Sequence, residues 1–302
     1  MAKGLRMFHA RNAAGGHLLT IAQIRAGQSL ICADCGTSIV YSRAHQRGDG
    51  TQVAAYLRLA QGRDHGPDCK YNLRSQVEAL AALGRSLDEA AQPLRLLADG
   101  KYLLRLGIPG DGPTASRRTD EAASTTDGRS NRQVWSGRIL APYCRTASGL
   151  ARIAALVEHK PELENMVLIR HGDRRIDWSD FFFEKDEGAR LVALLRSAAF
   201  EKNRYPVAVR VHPRKRVDAR TGAKRDCIQC EAEVTRRAHP KSLMVARIYG
   251  TPELLETIEL GRDCIVFGAW SASPVPNPSA DGKTLFENVS VNLYQAAQAC
   301  SL

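Results

Sequence analysis

The chain has 302 residues, and 43 lysines and arginines against 32 aspartates and glutamates give it a formal net charge of +11. That length suits two or three domains with cores of their own. No run of about eighteen apolar residues offers a membrane helix, and no apolar stretch follows Met1 to Arg6 as in a signal peptide, so a cytoplasmic location and no membrane partner are expected.

Residues 1–75 are expected to fold as a β-rich zinc-binding module. Met7 to Ala10 forms a strand, and Asn12, Gly15 and Gly16 turn it back. Cys32 and Cys35 then follow the C-x2-C pattern, and His65 and Cys69 the H-x3-C pattern. The first spacing lets two thiolates meet one tetrahedral ion from a tight knuckle, with Gly36 suited to the bend. The second does so from about one helical turn. Four such ligands close the shell, so the Zn²⁺ they imply is structural rather than catalytic. Strands are expected at residues 37–41 and 52–58, while Gly66 and Pro67 bar a regular helix between His65 and Cys69.

Leu73, Val77, Leu80, Leu83 and Leu87 predict a helix over residues 72–91. It opens a helical extension, 76–107, that closes on a short strand at 102–106. Residues 108–132 carry almost nothing apolar and are expected to be a flexible linker. Residues 133–203 predict a small α/β unit, with a helix at 149–159, strands at 166–170 and 175–183, and an amphipathic helix at 187–200. Residues 204–302 predict strands at 205–211, 227–235 and 243–249, a helix opened by Thr251, Pro252 and Glu253 and stopped by Gly261, and strands at 264–270 and 288–293. The order β-β-β-α-β-β is that of an OB-like five-stranded barrel. The expected fold class is therefore α+β and multidomain: a zinc-ribbon-like module with a helical extension, a central α/β unit and an OB-like domain.

The segment between the first two of these strands holds Arg214, Lys215, Arg216, Arg220, Lys224 and Arg225. In OB folds this loop and the one between strands four and five, here carrying Lys283, flank the binding face. A cationic arm beside such a groove suits the backbone of a single nucleic-acid strand, although a solvated hairpin tip has the same composition. Tyr249 or Trp270 would stack a base. Trp270 and Phe267 differ by an odd step along a strand, so one of them enters the core. Cys227 and Cys230 form a second C-x2-C pair, but strand alternation sends them to opposite faces, against a shared metal. Asp173, Asp177 and Glu184 are the acidic residues that would serve a metal-dependent nuclease, and their spacing matches no compelling metal motif.

Phe8 to His17, Ile31 to Val40 and Asp64 to Tyr71 together resemble the N-terminal zinc module of CoiA-like competence proteins: a strand and Gly turn, a C-x2-C knuckle and a later His/Cys pair. The resemblance covers the first quarter of the chain. It implies a zinc module in a DNA-handling context and, in that family, a following restriction-endonuclease-like domain. The sequence departs from the pattern at Tyr56 to Leu59, where the family carries a His-Phe-x-His run. The function expected is that of a non-enzymatic, zinc-containing nucleic-acid-binding protein, for single-stranded DNA above all and RNA otherwise, in a bacterial or mobile-element DNA-processing or defence system. Two alternatives stay open: a metal-dependent nuclease of a DNA-uptake type, and a protein-interaction scaffold within a nucleoprotein complex.

Overall fold

The computed structural model describes residues 5–25, 27–46, 52–87, 91–109, 134–135, 139–157, 160–218, 225–236 and 240–302. The chain divides into two compact units, Met1–Ala82 with Ile153–Met166, and Leu83–Arg152 with Val167–Leu302.

The first unit opens with β1 (His9–Asn12), β2 (Leu18–Thr20), β3 (Leu30–Cys32) and β4 (Ser38–Ser42). A ribbon of β5 (His45–Gln46) and β6 (Gln52–Val53) precedes β7 (Tyr56–Leu59) and α1 (Leu73–Ala82). Five strands form one antiparallel sheet in the order β2-β1-β3-β4-β7. Strand alternation buries Ala10, Leu30, Cys32, Ile39, Leu57 and Leu59 on one face. α1 ends before Gly84, a poor helix former, and so is shorter than its leucine spacing predicts.

The second unit begins with β8 (Leu94–Leu96) and β9 (Tyr102–Arg105), then a parallel ribbon of β10 (Ile108–Pro109) and β11 (Val134–Trp135). Next come α2 (Leu140–Leu156) and α3 (Lys160–Met166), of which α3 and the end of α2 group with the first unit. β12 (Val167–His171), β13 (Arg174–Ile176), α4 (Trp178–Phe181), β14 (Phe182–Phe183), α5 (Gly188–Arg196) and α6 (Ala198–Lys202) follow. β9 pairs in parallel with β12 in a sheet ordered β13-β12-β9-β8. The strand expected to close the helical extension thus belongs to the sheet of the central α/β segment. Residues 110–133, most of the expected linker, lie outside the described residues. The helix expected over 187–200 is two helices, because the Ser197 side chain accepts the Phe200 N–H at 3.2 Å and starts α6 afresh.

The C-terminal strands are β15 (Val207–Val211), β16 (Pro213–Val217), β17 (Cys227–Cys230), β18 (Glu233–Arg236) and β19 (Lys241–Tyr249). After α7 (Pro252–Glu256) come β20 (Cys264–Gly268), β21 (Ser271–Ala272), β22 (Asn277–Pro278), β23 (Thr284–Asn292) and β24 (Ala299–Ser301). They fall into two sheets, β14-β15-β20-β24 and β16-β17-β19-β23-β21, with β18 on β19 and β22 on β23. The architecture is mixed α+β, and neither of these sheets closes on itself as a barrel. β19 and β23 run parallel along their whole length. At Gly268 a Cβ would come within 2.5 Å of Val291 Cγ2, so the absent side chain lets the end of β20 lie against β23. Among the described residues no helix is long and apolar enough to cross a membrane.

Candidate functional site

Cys32 ends β3, and the chain bends back at once. The Gly36 N–H donates to Cys32 O at 3.0 Å, the Cys32 N–H donates to Thr37 O at 2.7 Å, and Gly36 takes a φ of +73°, which glycine alone adopts without strain. The knuckle brings Cys35 beside Cys32. After β7, the loop carrying His65 and Cys69 folds over it. Asp34 ties the two loops by accepting the Lys70 N–H at 2.8 Å. Asn72 braces the loop from the other side, donating to His65 O at 3.3 Å and Gly66 O at 3.1 Å.

The four side chains converge. Their ligand atoms all lie within 4.8 Å of one another, and they are the only such group among the described residues. Cys32 Sγ is 3.8 Å from Cys69 Sγ, and His65 Nδ1 is 3.5 Å from Cys35 Sγ and 3.4 Å from Cys69 Sγ. A tetrahedral ion holding sulfur at about 2.3 Å and nitrogen at about 2.0–2.1 Å sets its ligands about 3.8 Å (S to S) and about 3.5 Å (S to N) apart. The donor set and spacing therefore fit a metal ion. His65 is buried, and its Nε2 has no partner among the described residues, so the ring offers Nδ1 to the thiols.

The surroundings push two of the thiols in opposite directions. Burial by itself raises the Cys35 thiol, yet the Thr37 hydroxyl, the Gly66 N–H and His65 outweigh it and bring it down to about 5. Burial lifts Cys69, and the neighbouring sulfurs of Cys35 and Cys32 lift it further, because adjacent thiolates repel.

The cationic residues are placed differently. Arg214, Lys215 and Arg216 lie on β16, a strand at the edge of its sheet rather than a loop, and all three are exposed. Arg216 donates to Ile258 O at 3.4 Å. Arg220 and Lys224 lie outside the described residues. Arg225 stacks its guanidinium 5.0 Å from the Tyr249 ring centroid and donates to Asn292 Oδ1 at 3.4 Å. Lys283 is exposed in the turn before β23. Trp270 is only 2% exposed and donates its ring N–H to Val266 O, so no face of the indole is open to a base.

Pairing register brings Lys215, Gln229, Arg247, Ser290 and Ser271 into one row across five strands. A second row joins Val217, Cys227, Tyr249 and Asn292, and a third, at the far end, joins Val234, Leu243, Phe286 and Asn277. Directly paired residues share a face. On the opposite face Met244, Ala246 and Ile248 are buried, and on this face so are Val245, between Leu243 and Arg247, and Cys227. Arg247 is the functional candidate that sequence reasoning missed; its period-two placement against buried Ala246 and Ile248 was the available signal.

Asp173, Asp177 and Glu184 do not assemble into a metal-ligand group. Glu184 is taken by Arg210 at 3.1 Å. Cys227 and Cys230 are buried on β17, where burial raises both thiols, and no third ligand joins them among the described residues.

In comparisons with known proteins, no family model matches the chain and no curated protein matches it significantly.

Proposed function

We propose that the chain is a zinc-containing protein that binds single-stranded nucleic acid, non-enzymatically, through its C-terminal strands. Zinc is the ion best suited to three thiolates and one imidazole closing a tetrahedral shell, and such a site is structural. The observation that carries the nucleic-acid reading is the run of cations on the molecule's largest sheet: Arg214, Lys215 and Arg216 exposed on its edge strand, with Arg247 in the row of Lys215 and Arg225 beyond it. Chains of this charge attract phosphate backbones. The strand pairings support an OB-like reading of the region. β16 pairs with β17, β17 with β19, β19 in parallel with β23, β21 with β23, and β20 with β15. With β15–β16 and β20–β21 each taken as one bent strand, that circuit is the order of a five-stranded Greek-key barrel, whose central strands bind oligonucleotides. The resemblance of the first quarter to CoiA-like zinc modules points toward DNA handling as well.

The test is fluorescence anisotropy with single-stranded DNA, duplex DNA and RNA over a salt series. Wild type is compared with a variant carrying Arg214→Ala, Lys215→Ala and Arg216→Ala. Single strands are expected to bind best, and the variant's log–log salt slope should fall by about 0.7 for each phosphate it no longer neutralises. Absence of binding to every nucleic acid at low salt would overturn the proposal and favour the scaffold alternative.

A further inference from the structure

We infer that the face of β16, β17, β19 and β23 carrying Lys215, Arg247 and Tyr249 is a divided single-strand site, with phosphates at its cationic end and bases at the apolar end formed by Val234, Leu243 and Phe286. The inference rests on the nucleic-acid reading above and assigns its parts.

Among the described residues, no carboxylate forms an ion pair with Lys215, Arg225 or Arg247. Elsewhere in the same unit Arg190, Arg196, Arg204, Arg210 and Arg262 each pair with a carboxylate. Here Arg247 donates to Asn288 Oδ1 at 2.7 Å and Arg225 to Asn292 Oδ1 at 3.4 Å, and both partners are neutral amides. Such a partner orients a guanidinium without cancelling its charge, which leaves its other N–H groups for an anion. The only carboxylate within β17, β19 and β23 is Glu287. Strand alternation turns it to the opposite face, where Arg196 holds it at 2.6 Å. The face therefore presents fixed cations and no acid from its three central strands.

The other end, beyond buried Val245, is apolar and partly exposed. Val234 is 44% exposed, and Val275, two residues before the Asn277 that pairs with Phe286, is 68% exposed. Leu243 and Phe286 between them are only half-buried. Arg247 lies four residues along β19 from Leu243, about 13 Å at strand rise, so the two chemistries are segregated along the strands. A ligand matching both must be polyanionic on one side and flat and apolar on the other. A nucleic-acid single strand has that form, whereas a duplex keeps its base faces stacked inside.

The test compares two probes on the full-length protein by anisotropy: a labelled thymidine oligonucleotide of about 15 residues, within the span of such sites, and a strand of equal length and charge lacking bases. Wild type should bind the thymidine strand at least about tenfold more tightly, since stacking contributes about 1–3 kcal/mol per base. Phe286→Leu should lower affinity for the thymidine strand about fivefold while leaving the salt slope unchanged. Arg225→Gln with Arg247→Gln should lower the slope by about 1.4, at about 0.7 for each phosphate, and keep the base preference. Equal binding of both probes by wild type would overturn the division of the face without touching the nucleic-acid reading. So would unchanged binding in both sets of variants while the β16 triple variant loses affinity. Binding of neither probe at low salt would remove the reading itself.

Discussion

Asp263 draws three partners from two separate stretches of chain: Lys185 at 2.5 Å, His212 Nδ1 at 2.7 Å and Arg210 at 2.8 Å. Burial works against its charge, but hydrogen bonds from Lys185, His212 and Arg210 prevail and hold the carboxyl at about 2. An aspartate in the unfolded chain titrates near 3.9. The folded value is the lower one, so the stabilisation is complete above the unfolded value and disappears as pH falls through about 2. Allowing for partial solvent screening, its size is about 1–2 kcal/mol. Asp263→Asn should therefore lower the urea midpoint at pH 7, and the gap to wild type should narrow between pH 5 and pH 3. A gap that stays constant across that range would contradict the account. Nothing in the sequence announces this cluster, because Lys185, the Arg210/His212 pair and Asp263 are separated by tens of residues and each is unremarkable alone. Cys32, Cys35, His65 and Cys69 were legible for the opposite reason: metal geometry writes itself into short local spacings. Trp270 marks the limit, since it falls between β20 and β21, where strand alternation does not say which side is covered.

At the scale of elements, patterning located β15, β19, β20 and β23 within a few residues and read β17 and β18 as one strand, but missed β16 and the short strands β21, β22 and β24. The run of charges on β16 looks like a loop, yet an edge strand has one ladder side free and tolerates consecutive exposed cations, which also discourage pairing with other chains. The same blindness applies to helix α5. Its amphipathic spacing was clear, but not the polar tie that holds it to β23. Arg196 forms an ion pair with Glu287 at 2.6 Å and donates from Nε to Ser273 O at 2.9 Å, with both charged side chains largely shielded. Removing one partner strands the other charge in a shielded place, a cost of about 2–3 kcal/mol where burial is incomplete. Glu287→Ala should thus lower stability by that amount, and Arg196→Ala should do at least as much harm because it also abandons Ser273. Replacing both residues should cost less than the sum of the two single changes. Chemical denaturation of the four proteins measures this coupling, and strict additivity would show that the pair contributes nothing as a pair.

At the scale of the molecule, β9 pairs with β12 in parallel across more than sixty residues of chain. Such a pairing leaves no local trace: a short apolar strand is compatible with many partners, and the composition of residues 108–132 suggested a divide. The actual division sets the metal centre in one unit and the cationic face in the other. The first unit's sheet is small, and the four ligands join the knuckle after β3 to the loop after β7, with hydrogen bonds from Lys70 to Asp34 and from Thr37 to Asp64 beside them. Its folding is expected to depend on the ion, because metal binding to thiolates that are unpaired in the unfolded chain contributes directly to folding free energy. Stripping zinc with a strong chelator should therefore remove amide protection from residues 5–82 while residues 167–302 exchange as before, as read by hydrogen exchange with mass spectrometry. Cys69→Ser should reproduce that pattern without chelator, with bound zinc by elemental analysis falling from about one per chain toward zero. Because Leu140–Leu156 spans the division, its last turn should lose protection with the first unit and its first turns should keep it. Loss of protection throughout the chain would make the two units one cooperative body, and loss in neither would make the four ligands dispensable to the fold.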